Sequence, residues 1–457
     1  MHLILLSGGS GKRLWPLSNG ARSKQFLKIL RAEDGSSESM VQRIYRQLSG
    51  SDGDLKWDSV TVVAGAVQTD QLHMQLDESV NIIIEPERRD TFPAIAYAAS
   101  WLFSEKGVGE DEAVAIMPVD PYVDEHYFNR IAMIENELEI TGADIVLLGS
   151  KPTYPTEKFG YIIKQTGKTK KMDGTESVPV EGFREKPQID EAIELISSDA
   201  LWNCGVFGMK LKYVLDVLKK DYGFKRFDTA YVRKAFSALP KTSFDYAVVE
   251  SAKNIRVIEY DGSWKDLGTW ESLTEEMSDA VIGDVIKDGS TIRSHIINEL
   301  NIPVVTMGIK NSVVIASPDG ILVADKRETK KLKETIASLD TRPMYERKRW
   351  GEYFVLNFNS NEDGDTLVKK LVLNKDKKLS YQYHNHRAEV WTIVRGTGVL
   401  YLDGEKRSIE AGETVSFSAV VKHGLFAVTD LELIETQFGR PLIEEDVVRL
   451  EIEWEPY

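Results

Sequence analysis

Close to the start of the chain lies the glycine-rich run Leu6-Ser7-Gly8-Gly9-Ser10-Gly11-Lys12-Arg13-Leu14-Trp15-Pro16, into which the apolar residues Leu3 to Leu6 lead. This order is typical of a buried strand that opens into a loop. Because glycine has no Cβ and adopts positive φ angles, consecutive N–H groups of such a loop can surround an anion. Several basic residues precede the first acidic residue, Glu33: Lys12, Arg13, Arg22, Lys24, Lys28 and Arg31. The sequence therefore predicts a phosphate-binding loop here, with a plain tight turn as the alternative.

Neither of two common phosphate loops fits this run. A Walker A loop requires Ser or Thr after Gly-Lys, but Arg13 follows Gly11-Lys12. The dinucleotide fingerprint Gly-x-Gly-x-x-Gly requires a third glycine where the chain has Leu14. The run therefore belongs to another class of phosphate site.

The run instead resembles the signature of sugar-phosphate nucleotidyltransferases, Gly-Gly-x-Gly-x-Arg-Leu followed downstream by a lysine, here Lys24. Its extension Leu14–Ser18, with Lys24–Leu27, is similar to that of mannose-1-phosphate guanylyltransferases. Those proteins usually have Thr at the position of Lys12 and Pro at that of Ser23. The resemblance implies that the loop and its neighbour bind the nucleotide through Gly8, Gly9, Gly11, Lys12, Arg13 and Lys24.

Composition limits the classes of protein to which the chain can belong. Its 457 residues are more than a single hydrophobic core usually accommodates, so several domains are expected. A composition of 42% hydrophobic and 28% charged residues is typical of soluble globular proteins. A net charge of −15 argues against partners such as nucleic acid or an anionic membrane. The lone Cys204 excludes a disulfide within these residues, the first apolar run is too short for a secretory signal, and no later run approaches the ~20 residues of a membrane span. We therefore expect a cytoplasmic protein.

As far as about Trp270, short apolar runs alternate with helical patterns. Met40, Ile44 and Leu48 share one helical face, and residues 94–103 form a second helical pattern. The apolar runs read as strands buried on both faces: Ser59–Ala64, Val80–Ile84, Ala113–Met117 and Asp144–Leu148. This alternation predicts a Rossmann-like α/β domain with a mostly parallel sheet over residues 1–276, whose ligands lie at the carboxyl ends of the strands.

Two aspartates stand in segments that suit a metal ion. Asp120 follows the strand that ends at Met117, and Asp266 lies in the turn Trp264–Trp270. Mg²⁺ commonly takes one or two carboxylates together with phosphate oxygens and waters. Each aspartate alone is more often a turn residue or helix cap. Both segments, however, resemble metal-binding segments of the family, which implies one Mg²⁺ shared by Asp120 and Asp266.

Further segments match the family in the expected order: Glu85–Ile95, Phe159–Ile162, Phe183–Pro187, Trp202–Phe207 and Ser243–Ala247. The resemblance implies that Glu85, Arg89 and Asp90 belong to the segment that lines the base pocket. It also implies substrate-binding residues for the hexose and its phosphate: Gly160, Glu185, Lys186 and Asn203. Taken alone, Lys186 reads as a surface lysine and Asn203 as a turn residue.

The chemistry itself requires positive charge. Nucleotidyl transfer brings a sugar phosphate oxygen in line with the α-phosphorus of a nucleoside triphosphate, and both reactants are anions, so charge neutralisation and positioning carry the rate. The implied roles place Arg13 on the departing pyrophosphate and Lys24 and Lys186 on the two reacting phosphates. Asp120 and Asp266 complete this catalytic set by holding the Mg²⁺.

The second half of the chain changes character. Residues 277–345 contain short β segments and a charged stretch, Lys326–Leu339, and resemble the β-rich connector of long guanylyltransferases. Residues 346–457 contain alternating strand-sized pieces separated by turns: Thr366–Leu373, Val390–Val394, Gly398–Leu402 and Leu431–Gln437. Such pieces predict an antiparallel barrel or sandwich. We therefore expect three domains, with boundaries after residues 276 and 345.

Three of the seven histidines of the chain, His384, His386 and His423, lie in this last part. Residues two apart on a strand share a face, so Gln382 and His384 point the same way, and a hairpin can bring Glu389 and His423 to the same interior. Nitrogen and oxygen ligands of this kind suit Zn²⁺ or a similar divalent transition metal. A structural role for the strand histidines is the alternative.

The run Gln382–Trp391 resembles the cupin mannose-6-phosphate isomerase domain that is fused to bacterial guanylyltransferases. The resemblance implies a metal bound by Gln382, His384, Glu389 and His423, with Arg387 stabilising an enediolate charge. Three segments depart from the family: Ser418–Val420 replaces a Pro-x-Gly turn, Lys375-Asp376 replaces Pro-Gly, and Trp454–Tyr457 lacks a closing Tyr-Gly-Arg. Metal binding is expected, and isomerase activity is left open.

These resemblances together imply a Mg²⁺-dependent enzyme that converts GTP and mannose 1-phosphate to GDP-mannose and pyrophosphate. The cupin is either an isomerase that acts on mannose 6-phosphate or a non-catalytic interaction module. A transferase for another hexose or heptose 1-phosphate, and a nucleotide-sugar sensor with a dead catalytic domain, are the alternatives. Assembly into a homo-oligomer is also left open.

Overall fold

In a computed structural model, which describes residues 1–9, 11–48, 55–165, 175–339, 342–444 and 446–450, the chain divides into two units. The first unit comprises Met1–Leu14 and Ser23–Asp279, and the second comprises Trp15–Arg22 and Ala280–Tyr457. The domain boundary expected after residue 276 stays a prediction. The further boundary at residue 345 stays a prediction.

The first unit contains thirteen strands among its described residues: β1 (His2–Ser7), β2 (Leu30–Arg31), β3 (Ser37–Glu38), β4 (Ser59–Gly65), β5 (Asn81–Glu85), β6 (Ala113–Pro118), β7 (Pro121–Val123), β8 (Ile145–Ser150), β9 (Gly160–Lys164), β10 (Ser177–Glu185), β11 (Leu201–Lys210), β12 (Ile255–Tyr260) and β13 (Trp264–Asp266). Its α-helices are α1 (Met40–Gln47), α2 (Thr69–Gln75), α3 (Thr91–Ser104), α4 (His126–Ala132), α5 (Ile134–Thr141), α6 (Ile189–Ser197), α7 (Leu211–Asp221), α8 (Thr229–Ala235), α9 (Phe244–Ala247) and α10 (Trp270–Glu276). All the strands and both helices that the sequence predicted in this region form.

Nine strands make the central sheet, in the order β5-β4-β1-β6-β11-β8-β12-β10-β9. The neighbours β5, β4, β1 and β6 run parallel, and β8 runs parallel to β12. The long strand β11 runs antiparallel between β6 and β8, and β9 and β10 are also antiparallel to their neighbours. The sheet is therefore mixed, and its parallel half carries the glycine-rich loop.

Helices cover both faces of this sheet. Ile4 of β1 packs with Phe92 of α3 on one face, whereas Leu5 packs with Ile44 of α1 and Phe128 of α4 on the other. Successive residues of a strand point to opposite faces, so a strand between two helical layers must be apolar throughout. This packing explains why the run before the glycines lacks polar residues.

The second unit contains the strands β14 (Val281–Ile282), β15 (Val285–Lys287), β16 (His295–Asn298), β17 (Val304–Thr306), β18 (Ser312–Ser317), β19 (Gly320–Asp325), β20 (Tyr345–Lys348), β21 (Gly351–Asn361), β22 (Gly364–Leu373), β23 (Lys378–Tyr383), β24 (Arg387–Arg395), β25 (Thr397–Leu402), β26 (Glu405–Glu410), β27 (Thr414–Phe417), β28 (His423–Ala427), β29 (Leu431–Gly439) and β30 (Val448–Arg449). A 3₁₀ turn, Lys326–Lys331, and the short helix α11 (Leu332–Thr335) occupy the charged stretch. The β-rich connector forms the sheet β14-β16-β18-β19 and the pair β15-β17.

The segment Trp15–Arg22 belongs to this second unit, although it directly follows the glycine-rich loop in sequence. Arg22 makes a bidentate ion pair with Glu299, with N···O distances of 2.8 and 2.9 Å. The Oγ of Ser317 donates to the carbonyl of Pro16 at 2.9 Å. The connector therefore anchors the segment that lies between Arg13 and Lys24 in sequence.

The C-terminal part is an all-β cupin barrel of two sheets, β20-β21-β22-β29-β24-β27 and β26-β25-β28-β23-β30. Leu371, Trp391 and Leu433 on the first sheet pack with Leu400 and Leu425 on the second. Apolar and polar residues alternate along these strands, as the sequence predicted. Within the part of the chain that the structure describes, none of the helices combines the length and apolarity needed to cross a bilayer.

Candidate functional sites

Lys24 lies between the two aspartates that the sequence singled out. Its Nζ is 2.8 Å from Oδ2 of Asp120 and 2.7 Å from Oδ1 of Asp266. Lys24 begins a 3₁₀ turn whose next residue, Gln25, donates from Nε2 to Oγ of Ser7 at 3.2 Å. The ammonium is thereby held at the carboxyl end of β1, and both carboxylates converge on it.

A short ladder explains how two residues so far apart in sequence meet. Strands β7 and β13 pair antiparallel with Asp266 opposite Pro121, the residue after Asp120. The amide of Val119 donates to the carbonyl of Leu6 at 3.2 Å, which fixes the end of β6 beside the end of β1. The two carboxylates therefore lie at the sheet edge where ligands of α/β proteins bind.

Arg13 completes the cluster on the side of the glycine-rich loop. Its NH1 is 3.7 Å from Oδ2 of Asp266, and just over half of the side chain is exposed. A Cβ at Gly268 would lie 2.8 Å from Oδ2 of Asp266 and 3.2 Å from NH1 of Arg13. Glycine at this position therefore leaves room for the contact between the arginine and the aspartate.

The charges of the cluster stabilise one another. Burial alone would lower the pKa of Lys24, but Asp120 and Asp266 overcome it and raise the pKa to about 12. Burial alone would raise the pKa of Asp266, but Lys24 and then Arg13 and Lys158 lower it. Lys24 and Asp266 are therefore both charged at neutral pH, and the cluster presents a cation and hard oxygen ligands to a phosphate ligand.

The glycine-rich loop has the backbone that its sequence predicts. Gly9 and Gly11 have φ angles of +148° and +68°, which side-chain-bearing residues rarely adopt. No neighbouring atom comes within 4 Å of a Cβ built at Gly8. Of the predicted loop residues, Gly8 and Gly9 are exposed, and Gly11 and Lys12 are half-buried.

The residues predicted to line the base pocket lie at the ends of β5 and β4. A Cβ at Gly65 would be 3.4 Å from Nε of Arg88 and 3.8 Å from Oε1 of Glu85, so both side chains cover the end of β4. Burial raises the pKa of Glu85 to about 7, although Arg88 opposes the shift. The carboxylate of Glu85 is therefore half-buried at the edge that carries the glycine-rich loop.

Arg89 and Asp90, in the same segment, both make hydrogen bonds to backbone groups. The guanidinium of Arg89 donates to the carbonyl of Leu239 at 3.0 and 3.1 Å. Asp90 has a φ of +70° and caps α3 by accepting from the amide of Thr91 at 2.8 Å. These two predicted residues hold the backbone of the segment, and their contact with a nucleotide stays a prediction.

The residues predicted to bind the hexose form a second polar cluster. Gly160 pairs with Glu185 across β9 and β10, and a Cβ at Gly160 would lie 2.5 Å from Oε2 of Glu185. Glu185 in turn accepts from Nζ of Lys186 at 2.5 Å. Asn203 donates from Nδ2 to Oδ1 of Asp245 at 2.8 Å. Asp245 lies in the segment Ser243–Ala247, which matches the family, but the sequence assigned this residue no role.

In the cupin, three predicted ligands meet in the interior. Nε2 of His384 is 3.1 Å from Oε1 of Glu389, and Nε2 of His423 is 3.5 Å from Oε2 of the same carboxylate. All three side chains are almost completely buried. They are one of the two groups of His, Cys, Asp and Glu among the described residues with ligand atoms close enough to share an ion.

The hydrogen bonds of the two histidines suit a cation between their Nε2 atoms. Nδ1 of His384 faces the carbonyl of Asp446 at 2.6 Å, and Nδ1 of His423 faces that of Val421 at 2.9 Å. Each Nδ1 must donate, so in the neutral rings both Nε2 atoms carry lone pairs that face a carboxylate, which is acceptor-only. Nε2 of His423 has no hydrogen-bond partner in the described structure. The donor set therefore fits a divalent transition metal.

The other predicted cupin residues surround this cluster. Gln382 lies opposite His423 in the ladder of β23 and β28, and its Oε1 accepts from Ser380 at 2.7 Å. Arg387 is buried and donates from Nε to Oε1 of Glu389 at 2.9 Å. The guanidinium therefore orients a predicted ligand, and its predicted action on an enediolate stays a prediction.

Two positions at which the chain departs from the family have a left-handed backbone. Val420 stands where the family has the glycine of Pro-x-Gly, and its φ is +63°. Asp376 stands where the family has the glycine of Pro-Gly, and its φ is +62°. Both positions thus adopt a left-handed conformation without glycine. The third departure, at Trp454–Tyr457, lies outside the described residues.

The first unit thus carries a glycine-rich loop at the end of a parallel strand, a cluster of cations with two carboxylates, and a second polar cluster. Comparison with known proteins specifies the class. A family model described as Nucleotidyl transferase matches residues 2–281, and one described as Mannose-6-phosphate isomerase C-terminal matches residues 340–452. The chain is therefore a nucleotidyltransferase.

Full-length relatives narrow the class to a family. The mannose-1-phosphate guanylyltransferase of Salmonella muenchen is 30% identical over 98% of this chain and 97% of its own length. That of Escherichia coli K12 is 29% identical with the same coverage. A crystal structure from Thermus thermophilus, described as mannose-1-phosphate geranyltransferase, is 25% identical with a TM-score of 0.60 and covers 74% of this chain and 99% of that one. The chain belongs to the mannose-1-phosphate guanylyltransferase family with a C-terminal isomerase-type domain.

Proposed function

We propose that the chain transfers GMP from GTP to mannose 1-phosphate and releases pyrophosphate. The observation that carries the proposal is the convergence of Lys24, Asp120 and Asp266 at the sheet edge that bears the glycine-rich loop. In the reaction, a phosphate oxygen of mannose 1-phosphate forms a bond to the α-phosphorus of GTP, and the bond from that phosphorus to the β-phosphate oxygen breaks.

The cations of the site suit the charges of this reaction. Arg13, at the glycine-rich loop, would neutralise the departing pyrophosphate, and Lys24 would hold the nucleotide phosphates. Lys186, beside the hexose cluster, would hold the sugar phosphate. Such preorganised charges act mainly by lowering the repulsion between two anions.

The carboxylates of Asp120 and Asp266 fit a Mg²⁺ ion, because both are hard oxygen ligands within hydrogen-bonding distance of a single cation. The bound ion would supply charge to the phosphate oxygens of the nucleotide. Lys24 then has a second task in the free enzyme, since its ammonium keeps the two carboxylates from repelling each other.

Glu85 supports guanine as the base. The N1–H and the amino group of guanine are adjacent donors, and a carboxylate accepts from both. Adenine has its N6 amino donor beside an acceptor at N1, so the half-buried carboxylate of Glu85 would match only one of these two groups. A buried acceptor that selects a donor gives strong discrimination against the analogue that lacks it.

For the cupin, we propose a metal held by His384, Glu389 and His423 and a second activity, the interconversion of mannose 6-phosphate and fructose 6-phosphate. The two Nε2 lone pairs that face the carboxylate support metal binding. The bound metal would polarise sugar oxygens, while Arg387 keeps Glu389 in place. A non-catalytic cupin is the alternative.

Pyrophosphate release, measured with Mg²⁺ for a matrix of nucleoside triphosphates against sugar 1-phosphates, tests the transferase proposal. GTP with mannose 1-phosphate should give the highest kcat/KM. A preference for another base or another hexose or heptose 1-phosphate would contradict it.

Conversion of mannose 6-phosphate to fructose 6-phosphate, measured with and without a chelator, tests the isomerase proposal. The activity should disappear with the metal and return when Zn²⁺ or another divalent transition metal is restored. Absence of the activity in fully metal-loaded protein would leave the cupin as an interaction module.

A further inference from the structure

The short helix α9 places Asp245 against Asn203, a residue of the hexose cluster. Oδ1 of Asp245 accepts from Nδ2 of Asn203 at 2.8 Å. The other end of the amide, Oδ1, accepts from the backbone N–H of Gly205 at 3.0 Å. The amide of Asn203 is therefore fixed at both ends, and its Nδ2 uses one of its two N–H groups on Asp245.

The surroundings of Asp245 favour a ligand that donates hydrogen bonds. The charged groups that face it are Glu185, Asp90 and Lys186, and the described ion pair of Lys186 is with Glu185. Burial, followed by the charge of Glu185, raises the pKa of Asp245 to about 7. A half-buried carboxylate among other acids gains most from neutral donors such as the hydroxyls of a sugar, because a further anion would be repelled.

The backbone that carries Asp245 is held on the opposite side as well. The amide of Phe244 donates to Oγ1 of Thr91 at 2.8 Å, and the amide of Phe92 donates to the carbonyl of Thr242 at 3.2 Å. The segment is thus tied to the start of α3, directly after the segment predicted to line the base pocket. The backbone that carries Asp245 is consequently fixed between the two predicted subsites.

We infer that Asp245 is a further sugar-binding residue, which orients Asn203 with one carboxylate oxygen and accepts a hydroxyl of the hexose with the other. The inference rests on the proposed function, because it takes a sugar 1-phosphate as the substrate of this cluster. A hydrogen bond between a hydroxyl and a carboxylate is worth about 10- to 100-fold in binding.

The test compares wild type, Asp245→Asn and the control Ser243→Ala in pyrophosphate release. Ser243 caps the same helix by accepting from the amide of Tyr246 at 3.4 Å, so its variant perturbs the segment without removing the carboxylate. Asp245→Asn should raise the KM for mannose 1-phosphate about 10-fold or more and leave the KM for GTP within about twofold. Ser243→Ala should leave both values within about twofold.

Deoxy analogues of mannose 1-phosphate separate direct contact from mere support of Asn203. In wild type, removal of one particular ring hydroxyl should lower kcat/KM about 10-fold or more. In Asp245→Asn, the amide oxygen should stay on Nδ2 of Asn203, so an NH2 group replaces the oxygen that would accept from the hydroxyl. The same analogue and the parent should then differ by less than about twofold. Equal penalties for every analogue in both proteins, or a rise in the KM for GTP as large as that for the sugar, would overturn the inference.

Turnover by the wild-type protein distinguishes failure of the proposed function from failure of the inference about Asp245. If wild type releases no pyrophosphate with mannose 1-phosphate, the proposed function fails. The same variants are then compared on the hexose or heptose 1-phosphate that wild type accepts, and unchanged KM values for that sugar in Asp245→Asn overturn the inference on its own.

Discussion

Replacing Lys24 with methionine removes a charge from between two carboxylates with little change in volume. Asp120 and Asp266 raise the pKa of this lysine from 10.5 to about 12, which corresponds to about 2 kcal/mol of net stabilisation of the ammonium. Because the pKa is raised, this contribution is fully present below pH 10.5 and is lost only as the pH rises through about 12. At pH 7, Lys24→Met should therefore lower the free energy of unfolding of the first unit by about 2 kcal/mol.

The same variant changes the response to Mg²⁺. Without the ammonium, the two carboxylates repel each other and no cation competes for them, so Mg²⁺ should raise the unfolding midpoint of Lys24→Met more than that of wild type. Pyrophosphate release should still fall at least ~100-fold, because a cation that holds the reacting phosphates is lost.

The exposed Lys28, in the same segment, offers a matched control. Lys28→Met should unfold and turn over as wild type does. The reasoning is refuted if Lys24→Met shows wild-type turnover, or if Mg²⁺ shifts the midpoints of all three proteins equally.

The remaining predictions concern the close packing of Gly268 against Asp266, the proposed contact of Glu85 with the nucleotide base, and the left-handed backbone of Val420. Gly268→Ala places a Cβ 2.8 Å from a carboxylate oxygen of Asp266 and should lower kcat/KM about 10-fold or more, whereas Gly182→Ala, whose Cβ meets its nearest neighbour at an ordinary 3.6 Å, should not. Glu85→Gln should reduce the preference for GTP over ATP about 10-fold or more in competitive pyrophosphate assays; an unchanged preference would remove Glu85 from base selection. Val420→Gly should raise the free energy of unfolding of the cupin by about 1 kcal/mol in denaturant titration, because relief of a left-handed β-branched residue exceeds the added chain entropy, and Val420→Ala should gain much less.

The parallel part of the fold could be predicted because it depends on local pattern. The apolar runs of β4, β6 and β8 are buried on both faces, and the glycines after β1 have the positive φ angles that glycine permits. The same prediction was wrong for β5, because this strand lies at the edge of the sheet and buries only Ile83 of its five residues. The antiparallel strand β11 could not be predicted from periodicity, because its neighbours in the sheet, β6 and β8, are distant in sequence.

The proximity of Asp120 and Asp266 also could not be predicted from the sequence pattern alone. It depends on a three-residue ladder between β7 and β13, which is too short to leave a recognisable alternation. Only resemblance to a family connected the two aspartates, and Gly268 was the one local sign that something approaches closely there.

Other features depend on tertiary contacts that no motif encodes. The segment Trp15–Arg22 reads as a continuation of the glycine-rich loop, yet Glu299 of the connector pairs with Arg22. Arg387 reads as a catalytic cation, yet its Nε is occupied by Glu389. At Val420, the departure from Pro-x-Gly suggested a lost turn, whereas the backbone there adopts a left-handed conformation, which glycine favours.

We propose that Asp120 and Asp266 act as one site in nucleotidyl transfer. Pyrophosphate release from GTP and mannose 1-phosphate, measured over a range of Mg²⁺ concentrations for Asp120→Asn, Asp266→Asn and the double variant, tests it most directly. Each single variant should lose at least ~100-fold in kcat/KM, and the double variant should lose little more than either one, because residues that act as a unit are not additive. Wild-type turnover in either single variant, or losses that multiply in the double variant, would contradict the claim.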